Sequence, residues 1–273
     1  MLEVYKFTVF TAPCEVQLYT NNKQSADSCA KSILAEMKRL EKKYNYFDTS
    51  SYLSTLNTRQ DNTLDEETKT LLSLSKQYYK KTNTIFDITI ATIKNIFDEN
   101  KKNETLEYVG CEHFEIKKNK LYFDNDFTKL DLGGVVKEYG VDKAVKIIKK
   151  HKIKSALVNF GGDIYALGRK PDGKKFKIGI KNPIDRTKTH ISIELENEAL
   201  TTSASYERFT EIDGVQHSHI RSKTQDQNEI MSSTVISKTT MESGIFSTAF
   251  MIDKNLQTKN KKYLITKDLE IIS

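Results

Sequence analysis

Cysteine is scarce in this chain of 273 residues: Cys14, Cys29 and Cys111 stand alone and far apart. Single, widely spaced cysteines make neither a disulfide framework nor a zinc site, so the thiols are expected to stay reduced. Only three prolines occur. No Pro/Gly/Ser tract reads as a linker and no segment repeats, which favours a single domain over 1–273, with two interleaved subdomains compatible with that length. No apolar segment reaches the 18 residues that would suggest a membrane span. The first ten residues are interrupted by Glu3 and Lys6 and lack the continuous apolar stretch of an export signal. A cytoplasmic location is expected, or a periplasmic one if an export signal has been removed. Formal net charge is +6, yet no run of five basic residues and no aromatic–basic alternation occurs. Lysines scattered beside Glu and Asp describe a solvated surface, and no nucleic-acid partner is expected.

What is present is periodic. Cys14, Val16 and Leu18 share one face of an extended pair over about 4–20. Ala26, Cys29, Ala30, Ile33, Met37, Leu40 and Tyr44 recur at threes and fours, the signature of an amphipathic helix. A second helix is expected from near Thr63, with Glu66 completing a capping box, and a third, shorter one over Thr89 to Phe97. A hairpin follows over Phe114–Lys117 and Leu121–Phe123, then a helix from Lys137 to Lys150. Strands are expected at Ser155–Asn159, Ile164–Leu167, Lys175–Ile180, Ile191–Leu195, Ala199–Ser203 and Thr234–Ser237. A helix over Met241–Met251 and a strand at Tyr263–Thr266 close the chain. Strands and helices cluster rather than alternate strictly, which predicts α+β with mainly antiparallel sheets and flanking helices.

Two glycine pairs carry the chemistry. In Asp131-Leu-Gly-Gly-Val-Val-Lys137 a carboxylate precedes Gly133 and Gly134, and a helix follows. Residues without Cβ let backbone groups approach a ligand, a helix start offers N–H groups to phosphate, and Lys137 can supply a cation. A tight helix-start turn with a surface lysine explains the same residues. In Asn159-Phe-Gly-Gly-Asp163, Gly161 and Gly162 end a strand, as a bulge or as a close ligand approach, and Asp163 can cap local N–H groups. Phe86-Asp87 pairs a ring with a carboxylate, which suits a flat ligand or a core Phe beside a capping Asp. Thr202-Ser203-Ala204-Ser205 is dense in hydroxyls. His217 and His219 alternate on an extended stretch, where a histidine is more often structural than chemical. No Gly-x-Ser-x-Gly elbow supports a serine hydrolase.

Taken in order, these segments resemble the ApbE family of FAD:protein FMN transferases. The resemblance runs through Leu40-Glu-Lys-Lys-Tyr-Asn-Tyr-Phe47, Ser51-Tyr-Leu-Ser-Thr-Leu-Asn57 and Phe86-Asp-Ile-Thr89. It continues through Asp131 to Lys137, Leu157 to Asp163, Thr202-Ser203 with Tyr206 and Arg208, and His219-Ile220. It ends at Met241-Glu-Ser-Gly-Ile-Phe-Ser-Thr-Ala249. The family implies a T-fold-like α+β architecture that binds FAD with Mg²⁺ on its pyrophosphate. Its members move FMN onto a threonine of an acceptor flavoprotein and release AMP. Carried over position by position, Phe47, Phe86, Asp87, Asp131 and Lys137 would contact FAD, with Gly161, Gly162, Asp163, Thr202 and Ser203 completing the cofactor-binding set. The Gly134 carbonyl and Thr248 would reach the metal, and His219 would be the catalytic residue, assisting proton transfer or phosphate binding.

Four positions depart from the family pattern. The usual Met-Gly-Thr is not recognisable around Thr11-Ala-Pro-Cys14, and Arg221-Ser-Lys-Thr-Gln225 is one residue shorter than its counterpart. Glu138 replaces a usual glycine. Gly244 stands where a metal-binding Asp is expected, four residues before Thr248. Hard cations want charged oxygen ligands. The resemblance therefore allows either a working transferase, which would use another carboxylate such as Glu242, or a weakly active relative that stores or presents flavin to a redox partner.

Overall fold

The computed structural model describes residues 1–96, 98–205, 209–212, 215–218, 223 and 229–273. Period-two alternation forms β1 (Leu2–Val9) and β2 (Ala12–Tyr19), joined by a two-residue turn at Phe10 and Thr11. The periodic helix is α1 (Lys23–Tyr44), whose N-cap Asn22 accepts from Ser25 N–H at 2.9 Å. Its seven apolar positions read from the sequence are all buried.

Next come α2 (Tyr52–Asn57) and α3 (Glu66–Lys81). The α3 start differs from the expected one. Asp65, not Thr63, is the N-cap and accepts from Thr68 N–H at 2.8 Å, because Thr63 is held in an extended bridge to Lys120. The short helix expected over Thr89 to Phe97 is a 3₁₀ segment at Ile88–Ile93. Its β-branched run Ile-Thr-Ile is a poor α-helix former. After α4 (Glu99–Thr105), β3 (Phe114–Lys117) and β4 (Lys120–Phe123) form the expected hairpin.

The second half supplies α5 (Val136–Lys150), β5 (Ser155–Phe160), β6 (Asp163–Leu167), β7 (Phe176–Lys181), β8 (Thr189–Leu195) and β9 (Glu198–Ala204). Then follow β10 (Phe209–Ile212), β11 (Val215–Ser218), β12 (Ile230–Ser237), α6 (Thr240–Phe250), β13 (Lys261–Thr266) and β14 (Ile271–Ile272). The main sheet has eight strands in the order β1-β2-β5-β6-β9-β12-β13-β14, each neighbouring pair antiparallel. The α+β expectation holds.

Helices cover one face of this sheet. Val16, Leu18, Ala156, Val158 and Phe160 pack there with Ile33, Met37, Ala144 and Ile148 in one apolar cluster. The other face is covered by the β7–β8 hairpin, whose Phe176, Ile178, Ile193 and Leu195 meet Ala166, Leu200, Ile236 and Ile265. β6 lies between both and is buried along its whole length. Each large aliphatic chain so buried contributes about 1.5–3 kcal/mol by leaving water. All three cysteines are buried and unbridged, as expected for reduced thiols. Among the described residues no helix is long and apolar enough to cross a membrane.

This packing sets α5 between its neighbours. It lies against α1, β5, β6 and α6, while α6 lies against β9 and β12. Asp142 of α5 fixes the α6 start: its carboxylate accepts from Thr240 N–H at 2.8 Å and Met241 N–H at 3.1 Å.

Candidate functional site

The Asp131–Lys137 segment climbs out of the core and turns into α5. Asp131 Oδ1 accepts from Gly133 N–H at 2.8 Å, and its other oxygen pairs with Lys94. Leu132 and Val135 are fully buried anchors, and Gly133 and Gly134 are left exposed between them. A Cβ at Gly134 would stand 3.5 Å from the Phe86 ring, so the backbone edge here is bounded by an aromatic wall. The helix start is less open than the sequence suggests. The Leu132 carbonyl accepts from both Val135 and Val136 N–H, at 2.9 and 2.8 Å. No side chain caps the turn.

The outer rim of the site is aromatic and cationic. Phe47 is 73% exposed. Its ring meets Tyr46 edge-on at 5.4 Å between centroids, and Lys94 Nζ lies 4.7 Å from the Phe47 centroid. Phe47, Lys94, Asp131 and Gly133 thus form one connected surface. A large apolar ring left in water beside a paired charge is what a flat ligand would cover.

Asp87 is placed differently. Its carboxylate caps the 3₁₀ segment, accepting from Thr89 N–H at 2.8 Å and Thr89 Oγ1 at 2.7 Å, with Cys111 Sγ at 3.4 Å. Burial pushes its carboxyl up, against the lowering effect of the Thr89 bonds. Phe86, its neighbour, is buried with only its ring edge at Gly134.

The inner end is buried and charged. Lys137 pairs with Asp163, which the sequence had suggested as a local cap. Gly161 and Gly162 form the β5–β6 turn with φ of +59° and +97°, conformations glycine adopts without strain. Gly162 N–H is capped by Asn159 Oδ1 at 2.9 Å. Beside Lys137, Glu138 is buried, its Oε1 4.0 Å from Lys137 Nζ. Burial first, then the Asp163 charge, hold the Glu138 carboxyl well above the ordinary carboxylate range.

Hydroxyls line the wall between β9 and α6. Ser203 Oγ lies 2.8 Å from Ser247 Oγ and 3.3 Å from Thr248 Oγ1. Thr202 instead pairs with Thr234 across the sheet at 2.8 Å. The structure therefore joins Ser203 to Thr248, Lys137 to Asp163, Gly134 to Phe86, and Phe47 to Asp131 through Lys94. His219 lies outside the described residues, as do Tyr206, Arg208 and residues 224–225.

Among the described residues no group of three or more His, Cys, Asp or Glu is placed to hold a metal by itself. Glu242 is poorly placed to replace the missing Asp. Two residues from Gly244 is about 200° around the helix, the opposite side.

Together the sheet and the helices define a class: an antiparallel α+β protein with an exposed glycine edge near a solvent-exposed aromatic ring, followed by a buried carboxyl pair, and with hydroxyls between β9 and α6. The chain belongs to the ApbE family, whose pattern it matches over residues 10–271. It is similar to the FAD:protein FMN transferase of Vibrio cholerae, at 28% identity over 182 residues covering 61% of this chain and 54% of that protein. The enzyme of the same name from Klebsiella pneumoniae is 25% identical over 202 residues, 67% and 58% of the two chains. That from Buchnera aphidicola is 24% identical over 235 residues, 78% and 69%. The chain spans little more than half the length of the first two of these relatives. In fold it is similar to the ApbE protein of Thermotoga maritima, with a TM-score of 0.90 at 22% identity, covering 100% of this chain and 96% of that one. The flavin transferase ApbE of Vibrio cholerae gives 0.84 at 21% identity, with the same coverage.

Proposed function

We propose that this protein transfers FMN from FAD to a threonine of an acceptor flavoprotein. The observation that carries the reading is the exposed Gly133–Gly134 edge. It is bounded by the buried Phe86 ring, with the exposed Phe47 on the surface that Lys94 and Asp131 connect to it and the part-buried Lys137 three residues on, in a chain whose matched relatives are named FAD:protein FMN transferases. The isoalloxazine ring would cover Phe47, and the pyrophosphate would lie along the glycine edge. Lys137, held by Asp163, would set the countercharge at the buried end.

The reaction is a phosphoryl-group transfer. The acceptor threonine Oγ forms a bond to the phosphorus of the FMN half, the anhydride P–O bond breaks, and AMP leaves with the electron pair. The threonine proton goes to a base, the role we assign to His219. Lys137 and the Gly133–Gly134 backbone orient the phosphates so that attacking and leaving oxygens stand in line. A magnesium ion reached by the Gly134 carbonyl and Thr248 would neutralise charge on the anhydride as it breaks. The donors are of a kind that fits such an ion: the exposed Gly134 backbone, the half-buried Thr248 hydroxyl and the unsatisfied buried oxygen of Glu138. The partners in this reading are FAD and the acceptor protein.

The test is incubation with FAD, Mg²⁺ and an acceptor protein bearing a flavinylation motif. Covalent flavin on the acceptor, seen by in-gel fluorescence and lost when its threonine is replaced, is the expected result. FAD binding without transfer at any Mg²⁺ concentration would leave a flavin-holding protein. Absence of FAD binding would remove the reading altogether.

A further inference from the structure

The space beside Gly244 is not empty. A Cβ built at Gly244 would stand 2.5 Å from Glu138 Cγ, 3.2 Å from its Cδ and 3.3 Å from its Oε1. Glu138 therefore reaches across from α5 into the volume that a side chain at position 244 on α6 would occupy. No side chain at 244 can coexist with it without displacement of the Glu138 stem. The two departures from the family pattern, an added carboxylate at 138 and a lost one at 244, meet at one point in space.

The Glu138 side chain carries an unsatisfied buried oxygen. The residue is only 7% exposed, and its Oε2 is buried with no hydrogen-bond partner. A carboxylate so placed either keeps a proton or needs a positive partner, because an unpaired buried charge is too costly. Lys137 is the near cation, but it pairs with Asp163 and stands 4.0 Å from Glu138 Oε1. The surroundings supply the other oxygens. Thr248 lies one turn after Gly244 on α6 and so faces the same joint between α5 and α6, and the exposed Gly134 backbone precedes the α5 start. Ser203 Oγ is 3.3 Å from Thr248 Oγ1 on that side.

We infer that Glu138 supplies, from α5, the carboxylate ligand for the divalent cation, in place of a side chain on α6 at position 244. The inference rests on the FMN-transfer reading, because phosphate oxygens of FAD complete the cation's shell. It assigns a metal role to Glu138, and it removes the reason to regard Gly244 as a lost site.

The test uses Mn²⁺ as the probe, since Mn²⁺ accepts the same oxygen ligands and its free form is read directly by electron paramagnetic resonance. Mn²⁺ is titrated into the full chain with FAD bound, and FAD affinity without metal is followed separately by flavin fluorescence. Glu138→Gln is expected to weaken Mn²⁺ at least tenfold while FAD still binds in the absence of metal. Gly244→Asp alone is expected to lower the melting temperature, because its Cβ overlaps Glu138. The double variant Glu138→Ala with Gly244→Asp, which clears the overlap and moves the carboxylate back to α6, is expected to restore Mn²⁺ affinity to within about threefold of wild type. Should Glu138→Gln bind Mn²⁺ as tightly as wild type while wild type still flavinylates an acceptor, the inference fails and the FMN-transfer reading stands. Wild-type protein that binds FAD but no Mn²⁺ also overturns the inference. If wild type binds no FAD, the FMN-transfer reading fails and the inference with it.

Discussion

The two ends of the site, joined by the Asp131–Lys137 segment, differ in physical character. At the outer end, the part-exposed Lys94 pairs with a largely covered Asp131 beside a Phe47 ring that is 73% exposed. At the inner end, Glu138 and Asp163 are buried, and the part-buried Lys137 pairs with Asp163. Charges in water are screened and weakly coupled, so the outer end can recognise a ligand at little cost in stability. Charges out of water are strongly coupled, so the inner end is tied to the integrity of the fold.

The comparison is broken most forcefully at Lys137. Replacing Lys137 with Met leaves Asp163 and Glu138 as neighbouring buried carboxyls with no cation, and about 3–5 kcal/mol of stability is expected to be lost in urea unfolding at pH 7. A loss below 1 kcal/mol would mean that the inner end is as forgiving as the outer.

The next test is pH. The Glu138 carboxyl is raised in the folded state, so the folded protein binds more protons than the unfolded chain once pH passes the ordinary carboxylate range. Stability is then full below that range and falls as pH rises toward the raised value. In metal-free buffer, Glu138→Gln is expected to flatten this fall in a series of melts from pH 4 to 8. Magnesium together with FAD is expected to flatten it in wild type.

A smaller and more local effect is expected at the rim. Phe47→Ala should raise the FAD dissociation constant about tenfold, near 1.4 kcal/mol of lost ring contact, without moving the melting temperature. A fall in melting temperature of several degrees would show that the exposed ring supports the fold instead. Least of all is expected from Lys94→Ala. The pair with Asp131 is part-exposed, and stability should change by less than about 1 kcal/mol in the same urea experiment.

The sequence was most legible where order is local. The α1 stripe, the β3–β4 hairpin and the strands around Gly161-Gly162 follow from periodicity and turn chemistry, and the structure has them within a few residues. Where long-range contacts decide, the sequence was silent or misleading. Thr63 looked like a helix cap until a bridge to Lys120 claimed it, and Asp163 looked like a local cap until Lys137 reached it. Asp87 was read both as a cap and as a ligand, and its oxygen is committed to Thr89. Glu138 was visible only as an oddity, and Gly244 only as a loss. Nothing in spacing or composition says that α5 and α6 lie side by side, so the meeting of those two positions is a tertiary fact.

That adjacency is also a matter of gauge. Asp142 clamps the first N–H groups of α6, one turn along α5 from Glu138. From Thr240 to Thr248 is ~12 Å of helix, a length the backbone hydrogen bonds hardly let vary. With one end pinned, α6 behaves as a fixed calliper arm, and Thr248 keeps a set distance from the Asp142 clamp.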